Sequence, residues 1–143
     1  MRRLFALVAS LVVVMALAGC GMSSFGLTTD DAGVHAVAKG GADGASAGKI
    51  TIGEGEGLCI NHVINKGSFH VVATDSMGRV VFDEIVKDSV ADMVDVQGVF
   101  DIEISSDKAD GTVDVIAYDK EAQAQADATL DEALKDATGK SAD

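Results

Sequence analysis

An all-β fold, a small antiparallel β-sandwich or barrel-like domain with a helix after it, is predicted by three features of this chain. Between Lys49 and Tyr118 apolar residues recur at every second position, the period of a strand with one face buried. Turn-forming residues interrupt those runs at short intervals. Beyond Tyr118 the composition turns to Ala, Glu, Gln, Asp and Lys, all but Asp good helix formers.

Residues 1–19 read as an export signal. Met1-Arg2-Arg3 is a positive start, and Leu4 to Ala16 is apolar apart from Ser10. That run falls short of the roughly 20 residues a membrane span takes, and its flanks fit a cleaved signal. Leu17-Ala18-Gly19-Cys20 closes it. On these residues the N-terminus resembles the bacterial lipoprotein family, whose lipobox they match. The resemblance implies diacylglyceryl (palmitate-type) attachment to the Cys20 thiol, with cleavage after Gly19. Two or more acyl chains, at about 0.8 kcal/mol per buried CH₂, hold a protein stably at a bilayer. An ordinary secretory signal is the bland alternative. The resemblance places the mature chain on the extracytoplasmic face of a bacterial cell membrane.

Residues 20–48 are expected to form a lipidated, flexible tether. They are dense in Gly, Ala, Ser, Thr and Asp, and the stretch from Gly40 to Gly48 carries no bulky apolar residue. Such a composition buries too little to offset the entropy of ordering. At most one helical turn is expected around Val34, Ala36, Val37 and Ala38.

The β-sandwich domain is expected over residues 49–118. Its strand candidates are Ile50/Ile52, Leu58/Ile60/Ile64, Phe69/Val71/Ala73, Val80/Phe82, Phe100/Ile102/Ile104 and Val113/Val115/Ala117. Asn65-Lys66-Gly67, Asp75-Ser76-Met77-Gly78, Gln97-Gly98 and the stretch Ser106 to Gly111 are the expected turns. Six or seven short strands at this spacing suit a sandwich or small barrel. The segments Gly67–Val72, Asp75–Asp83 and Gly111–Val115 resemble hairpin and turn patterns of small domains in uncharacterised lipoproteins of Gram-positive bacteria. That likeness implies fold alone.

An acidic, Ala-rich helical tail is expected over residues 119–143, with Ala122, Ala126, Leu130, Ala133 and Ala137 on one stripe. Asp131 and Lys135 make an i,i+4 pair, and Gly139 is placed as a stop. A stripe made mostly of Ala packs weakly, so loose docking or a frayed, solvated helix is favoured over firm packing on the sheet.

Charge narrows the function classes. The 143 residues carry a net −12, and without the signal nine bases face 23 acids, a net of −14. Phosphate contacts depend on Lys and Arg, so nucleic acid is not an expected partner. One Tyr and no Trp argue against a stacking platform for bases or sugars.

The residues that could carry chemistry are few. Cys59 is the thiol left once Cys20 is acylated, and an odd cysteine is free or bridges two chains. Its even-step neighbours place it on the less buried side of a strand, with His62 on the opposite face, so a structural role is expected. A hairpin turning at Asn65–Gly67 would bring His62 and His70 near each other, but there is no third ligand in sight; both are expected as half-exposed strand residues. His35 falls in the tether. Asp107, Asp110 and Asp114 surround Gly111, yet an EF-hand frame fails at Ser106, Lys108 and Ala117. Gly53-Glu54-Gly55-Glu56-Gly57 lacks the Lys of a phosphate loop. No nucleophile is paired with a base and an orienting acid. The sequence therefore assigns no catalytic, cofactor-binding or metal residue, and only Cys20, for lipidation.

The expected role is a non-enzymatic binding or scaffolding module of the cell envelope, held to the membrane through Cys20. Its outward acids Asp83, Asp95, Asp101, Glu103 and Asp114 suit a basic envelope-protein partner. The alternative is a receptor for a divalent cation or small ligand, gathered by the acids of residues 107–114.

Overall fold

The computed structural model describes residues 23–139. In chain order it comprises β1 (Ser24–Asp30), β2 (Gly33–Ile52), β3 (Glu56–Asp75), β4 (Val80–Val86), β5 (Val90–Val94), β6 (Gly98–Asp119) and the helix α1 (Lys120–Gly139). All strand pairs are antiparallel, in the order β1-β2-β6-β3-β4, with β5 also on β3. The protein is an all-β sandwich with one C-terminal helix.

Three strands of 20, 20 and 22 residues make the architecture. Each is interrupted along one line across the sheet. Register shifts fall between Ala38 and Gly44 of β2 and between Ile64 and Ser68 of β3. Gly40, Gly41, Gly67 and Lys108 there take positive φ angles of 69°, 74°, 70° and 47°. Bulges bend a strand and sharpen its twist. Three in a row fold the sheet back on itself.

One layer then consists of β1, β5 and residues 33–38, 56–64 and 111–119. The other consists of β4 and residues 42–52, 68–75 and 98–106. Phe25, Leu27, Val34, Leu58, Ile60, Val113 and Val115 from the first meet Ile50, Ile52, Phe69, Val71, Phe100, Ile102 and Ile104 from the second in one core. The shift at Lys66 also changes which positions point inward. Leu58, Ile60, His62 and Ile64 are buried before it, and Phe69, Val71 and Ala73 after it, because one extra residue exchanges the two faces.

Residues 24–48 are therefore not a flexible tether. They form β1 and most of β2, and the helical turn expected near Val34–Ala38 is strand. Phe25, Leu27, Val34, Ala36 and Ala38 are all buried. The small residues that suggested disorder have a packing cause. Gly44 lies over Phe25, and a Cβ there would come within 2.6 Å of its ring. A Cβ on Gly48 would come within 2.5 Å of Thr29 Oγ1 and 3.0 Å of Val34. The layers approach so nearly at β2 that only small side chains fit between them.

Two expected turns are likewise corrected. Asn65–Gly67 and Ser106–Gly111 are the bends of β3 and β6, not hairpin ends. A Cβ on Gly67 would run into the carbonyl oxygens of Asp107 and Lys108, so glycine is what lets the two bends cross. The Asp75–Gly78 turn forms as expected: Oδ1 of Asp75 accepts the N–H groups of Met77 and Arg79, both at 2.9 Å. Gly53 to Glu56 makes the β2–β3 connection, with Gly53 N–H donating to Oε2 of Glu56 at 2.8 Å.

Helix α1 starts where Asp119 Oδ1 accepts the N–H groups of Glu121 and Ala122 at 2.8 and 3.0 Å, an N-cap. It is described as far as Gly139, the last described residue, and Asp131 and Lys135 pair at 2.9 Å. No residue of the helix is buried. Its Ala-rich stripe does not pack on the sheet.

Candidate functional site

Leu17 to Cys20 lie outside the described residues. What the structure places is where the chain leaves for that segment: Ser24 pairs with Lys39 beside the bend. The same end holds Asn65, Lys66, Lys108 and Asp110, together with the connector 87–89 between β4 and β5. That connector seals the bend of β3, with Ser89 Oγ accepting the Ile64 N–H at 3.0 Å. The turns Asp31–Ala32, Gly53–Gly57 and Asp75–Gly78 and the start of α1 lie at the opposite end. Between the two ends, β6 runs eight residues from Gly111 to Asp119, about 26 Å at 3.3 Å per residue.

Cations are distributed unevenly between these ends. Away from the bend, Lys49 pairs with Asp101 at 3.4 Å, Arg79 with Asp75 at 2.8 Å and Lys135 with Asp131, and Lys120 pairs with Asp95. At the bend, Lys39, Lys66, Lys87 and Lys108 are exposed and have no carboxylate partner among the described residues. Of the acids nearby, Asp88 and Asp107 are exposed, and two others are turned to other donors. Asp43 accepts the Lys108 backbone N–H at 2.8 Å, and Asp110 accepts the Gly40 N–H at 3.2 Å and the Asn65 amide at 3.4 Å.

The histidines do not come together. His62 and His70 sit on the single strand β3 rather than across a hairpin, and they face opposite ways because of the intervening bulge. His62 is buried, not half-exposed. Its Nδ1 lies 2.7 Å from the Asp88 carbonyl oxygen and its Nε2 3.0 Å from Asp92 Oδ2, which ties β3 to β5 and its connector. His70 is exposed, as expected, and its Nε2 meets Asp83 Oδ1 across strands. His35 on β2 holds Asp114 through Nδ1 at 2.7 Å and Asp30 through Nε2 at 3.1 Å.

Two carboxylates can only accept, so His35 makes both bonds as an imidazolium. Partial burial works against that charge, but the bonds to Asp114 and Asp30 outweigh it and raise the pKa above the ordinary 6.5. Asp30 is held below its usual value by the Ala32 N–H and then by His35. The sequence reading missed this triad because it placed His35 in a tether. The alternation of Val34, Ala36 and Ala38 around it was the available signal.

Cys59 is free and buried, contrary to the exposure expected of it. Its cross-strand neighbours are Met93 and Ile116. Burial, and then the charge of Asp92, push the thiol pKa above its ordinary value. The thiolate is what attacks disulfides and electrophiles, so this environment quietens the residue.

The acids of residues 107–114 are not gathered into a site. Asp107 and Asp110 belong to the bend, whereas Asp114 serves His35. Among the described residues no group of three His, Cys, Asp or Glu side chains could hold a metal ion. Asp83, Asp95, Asp101 and Glu103 are exposed as expected, and Asp114 is half-buried. On the outer face, Ala45 and Ala47 of β2 leave an open furrow of about 410 Å³ against His70, Val72, Glu103 and Ser105.

Fold and geometry define an all-β, acidic sandwich with bent strands and a displayed helix. No protein-family model matches the sequence, and no curated protein matches it. Among solved structures, the chain is similar to the CENP-C cumin domain of Drosophila melanogaster, at 13% identity and a TM-score of 0.38, with 78% of each chain covered. A CENP-C cupin domain from the same organism is 9% identical, with a TM-score of 0.36, covering 77% of this chain and 80% of its own. CENP-C bound to CAL1 matches at 10% identity and a TM-score of 0.36, over 74% of this chain and 81% of that one.

Proposed function

We propose that this chain is a lipoprotein of the bacterial cell envelope, fixed by acyl chains on Cys20 to the extracytoplasmic face of the membrane, and that it binds or scaffolds rather than catalyses. The observation that carries this is the N-terminal signal ending in Leu17-Ala18-Gly19-Cys20.

Two further features support a binding role. Each histidine is committed to aspartates and Cys59 is buried with its thiol quietened, so these groups act as structure. The outer faces carry Asp83, Asp95, Asp101 and Glu103, which favours a basic protein partner. Such a partner meets the acidic face or the edge of β2 at residues 42–52, whose one strand neighbour among the described residues is β6. An unpaired edge offers backbone donors and acceptors to an added strand.

Metabolic labelling with a fatty-acid probe tests the anchor, and crosslinking in intact cells tests the partner. The expected results are label that disappears in Cys20→Ser and a discrete, salt-sensitive crosslinked species. An unlabelled chain free in the medium overturns the first reading. Recovery of the domain alone under every crosslinking condition overturns the second.

A further inference from the structure

We propose that the bend of the sandwich is the face laid against the membrane, with Lys39, Lys66, Lys87 and Lys108 set against the phosphates of anionic lipid headgroups. The inference rests on the anchor reading above and adds an orientation to it. Two independent observations carry it.

The first is chain length. Between Cys20 and the start of β1 at Ser24 stand only Gly21, Met22 and Ser23. Four residue steps span at most about 14 Å, not the reach of a tether running from residue 20 to residue 48. Ser24 lies at the bend, so this is the end of the molecule an acyl chain on Cys20 holds close to the bilayer. The turns at the other end stand about 26 Å further out.

The second is charge. An acidic body is repelled by an anionic surface, yet the bend is locally neutral. Its four lysines are balanced by Asp43, Asp88, Asp107 and Asp110, so the acid excess lies on the rest of the molecule. All four lysines are exposed and lack a carboxylate partner among the described residues, whereas Lys49, Arg79, Lys120 and Lys135 away from the bend are each paired. Asp43 and Asp110 are occupied by backbone and amide donors. Asp88 and Asp107 are exposed but lie beyond ion-pair distance of the four ammonium groups, which can meet an outside anion within a Debye length of the surface. The arrangement also directs the start of α1 and the far turns away from the bilayer, where a partner can reach them.

The test uses the lipidated mature protein in nanodiscs of phosphatidylcholine alone or mixed with phosphatidylglycerol. A fluorophore is attached at Lys66→Cys or, at the far end, at Glu54→Cys, with the parent chain as the blank for buried Cys59. Energy transfer to a headgroup-bound acceptor is read. Strong transfer from position 66 and weak transfer from position 54 is the expected result. Adding Lys39→Gln, Lys87→Gln and Lys108→Gln to the Lys66→Cys protein should lower transfer on the mixed discs and leave it unchanged on phosphatidylcholine. These exposed changes should leave the thermal melt in place, which separates lost contact from lost fold. Equal transfer from both ends of a lipidated chain overturns the orientation. Unchanged transfer after the three substitutions overturns the role of the lysines. A chain that carries no acyl group removes the anchor itself, an outcome the mass of the protein distinguishes from the other two.

Discussion

His35 stands between Asp30 and Asp114 as a charged bridge from β2 to the β1–β2 turn and to β6. Its pKa is raised by folding, so the stability it contributes is fully present below the unfolded value near 6.5 and is lost as pH rises through the folded value. Denaturant melts across that window should show this loss in the parent chain and a flatter profile in His35→Gln; equally steep profiles would refute the assignment. Cys59 answers to a different force. Its thiol is buried and held protonated, so alkylation should be slow in the folded protein and rapid in denaturant. Fast modification of the native chain would show that the thiol is reachable after all.

Strand β2 shows how composition can mislead about an element. Its 42–48 segment has the Gly, Ala and Ser content of a linker, but Ala42 is buried and Gly44 and Gly48 press on β1 and β2 of the facing layer. Gly44→Val should cost about 1–3 kcal/mol through overpacking against Phe25, read as a lowered unfolding midpoint. A linker would show no change. Helix α1 is the opposite case: its cap and i,i+4 pair form within its own sequence, and nothing of it is buried. Deleting it should remove helical circular dichroism and alter the stability of the sandwich by less than about 1 kcal/mol. A larger loss would mean that the helix packs on the sheet.

Taken whole, the molecule is one long-stranded sheet closed by a line of bulges, and β1 is part of its core. Phe25→Ala should therefore cost about 3–5 kcal/mol in a denaturant titration. A change near zero would restore the tether. The period of two from Lys49 to Tyr118 made the strands legible, with Ile50, Phe69, Val71, Phe100 and Ile102 inward as read. The helix from Lys120 was legible through propensity and its i,i+4 pair. Cys59 and His62 were misjudged because what covers them, β5 and the 87–89 connector, arrives from about 30 positions along the chain.

Alternation, the Asp75–Gly78 turn and the Asp131–Lys135 pair are properties of near neighbours, and the order of amino acids was enough to establish them. The bends at Gly40, Gly67 and Lys108, the burial of β1 and the clustering of unpaired lysines at one end were decided only by the folded arrangement. Each depends on contacts between segments remote in sequence: Gly67 against Asp107 and Lys108, Gly44 against Phe25. A local pattern carries no information about which distant surface will press on it, and here that pressure turned an apparent linker into core and an apparent hairpin into a bent strand.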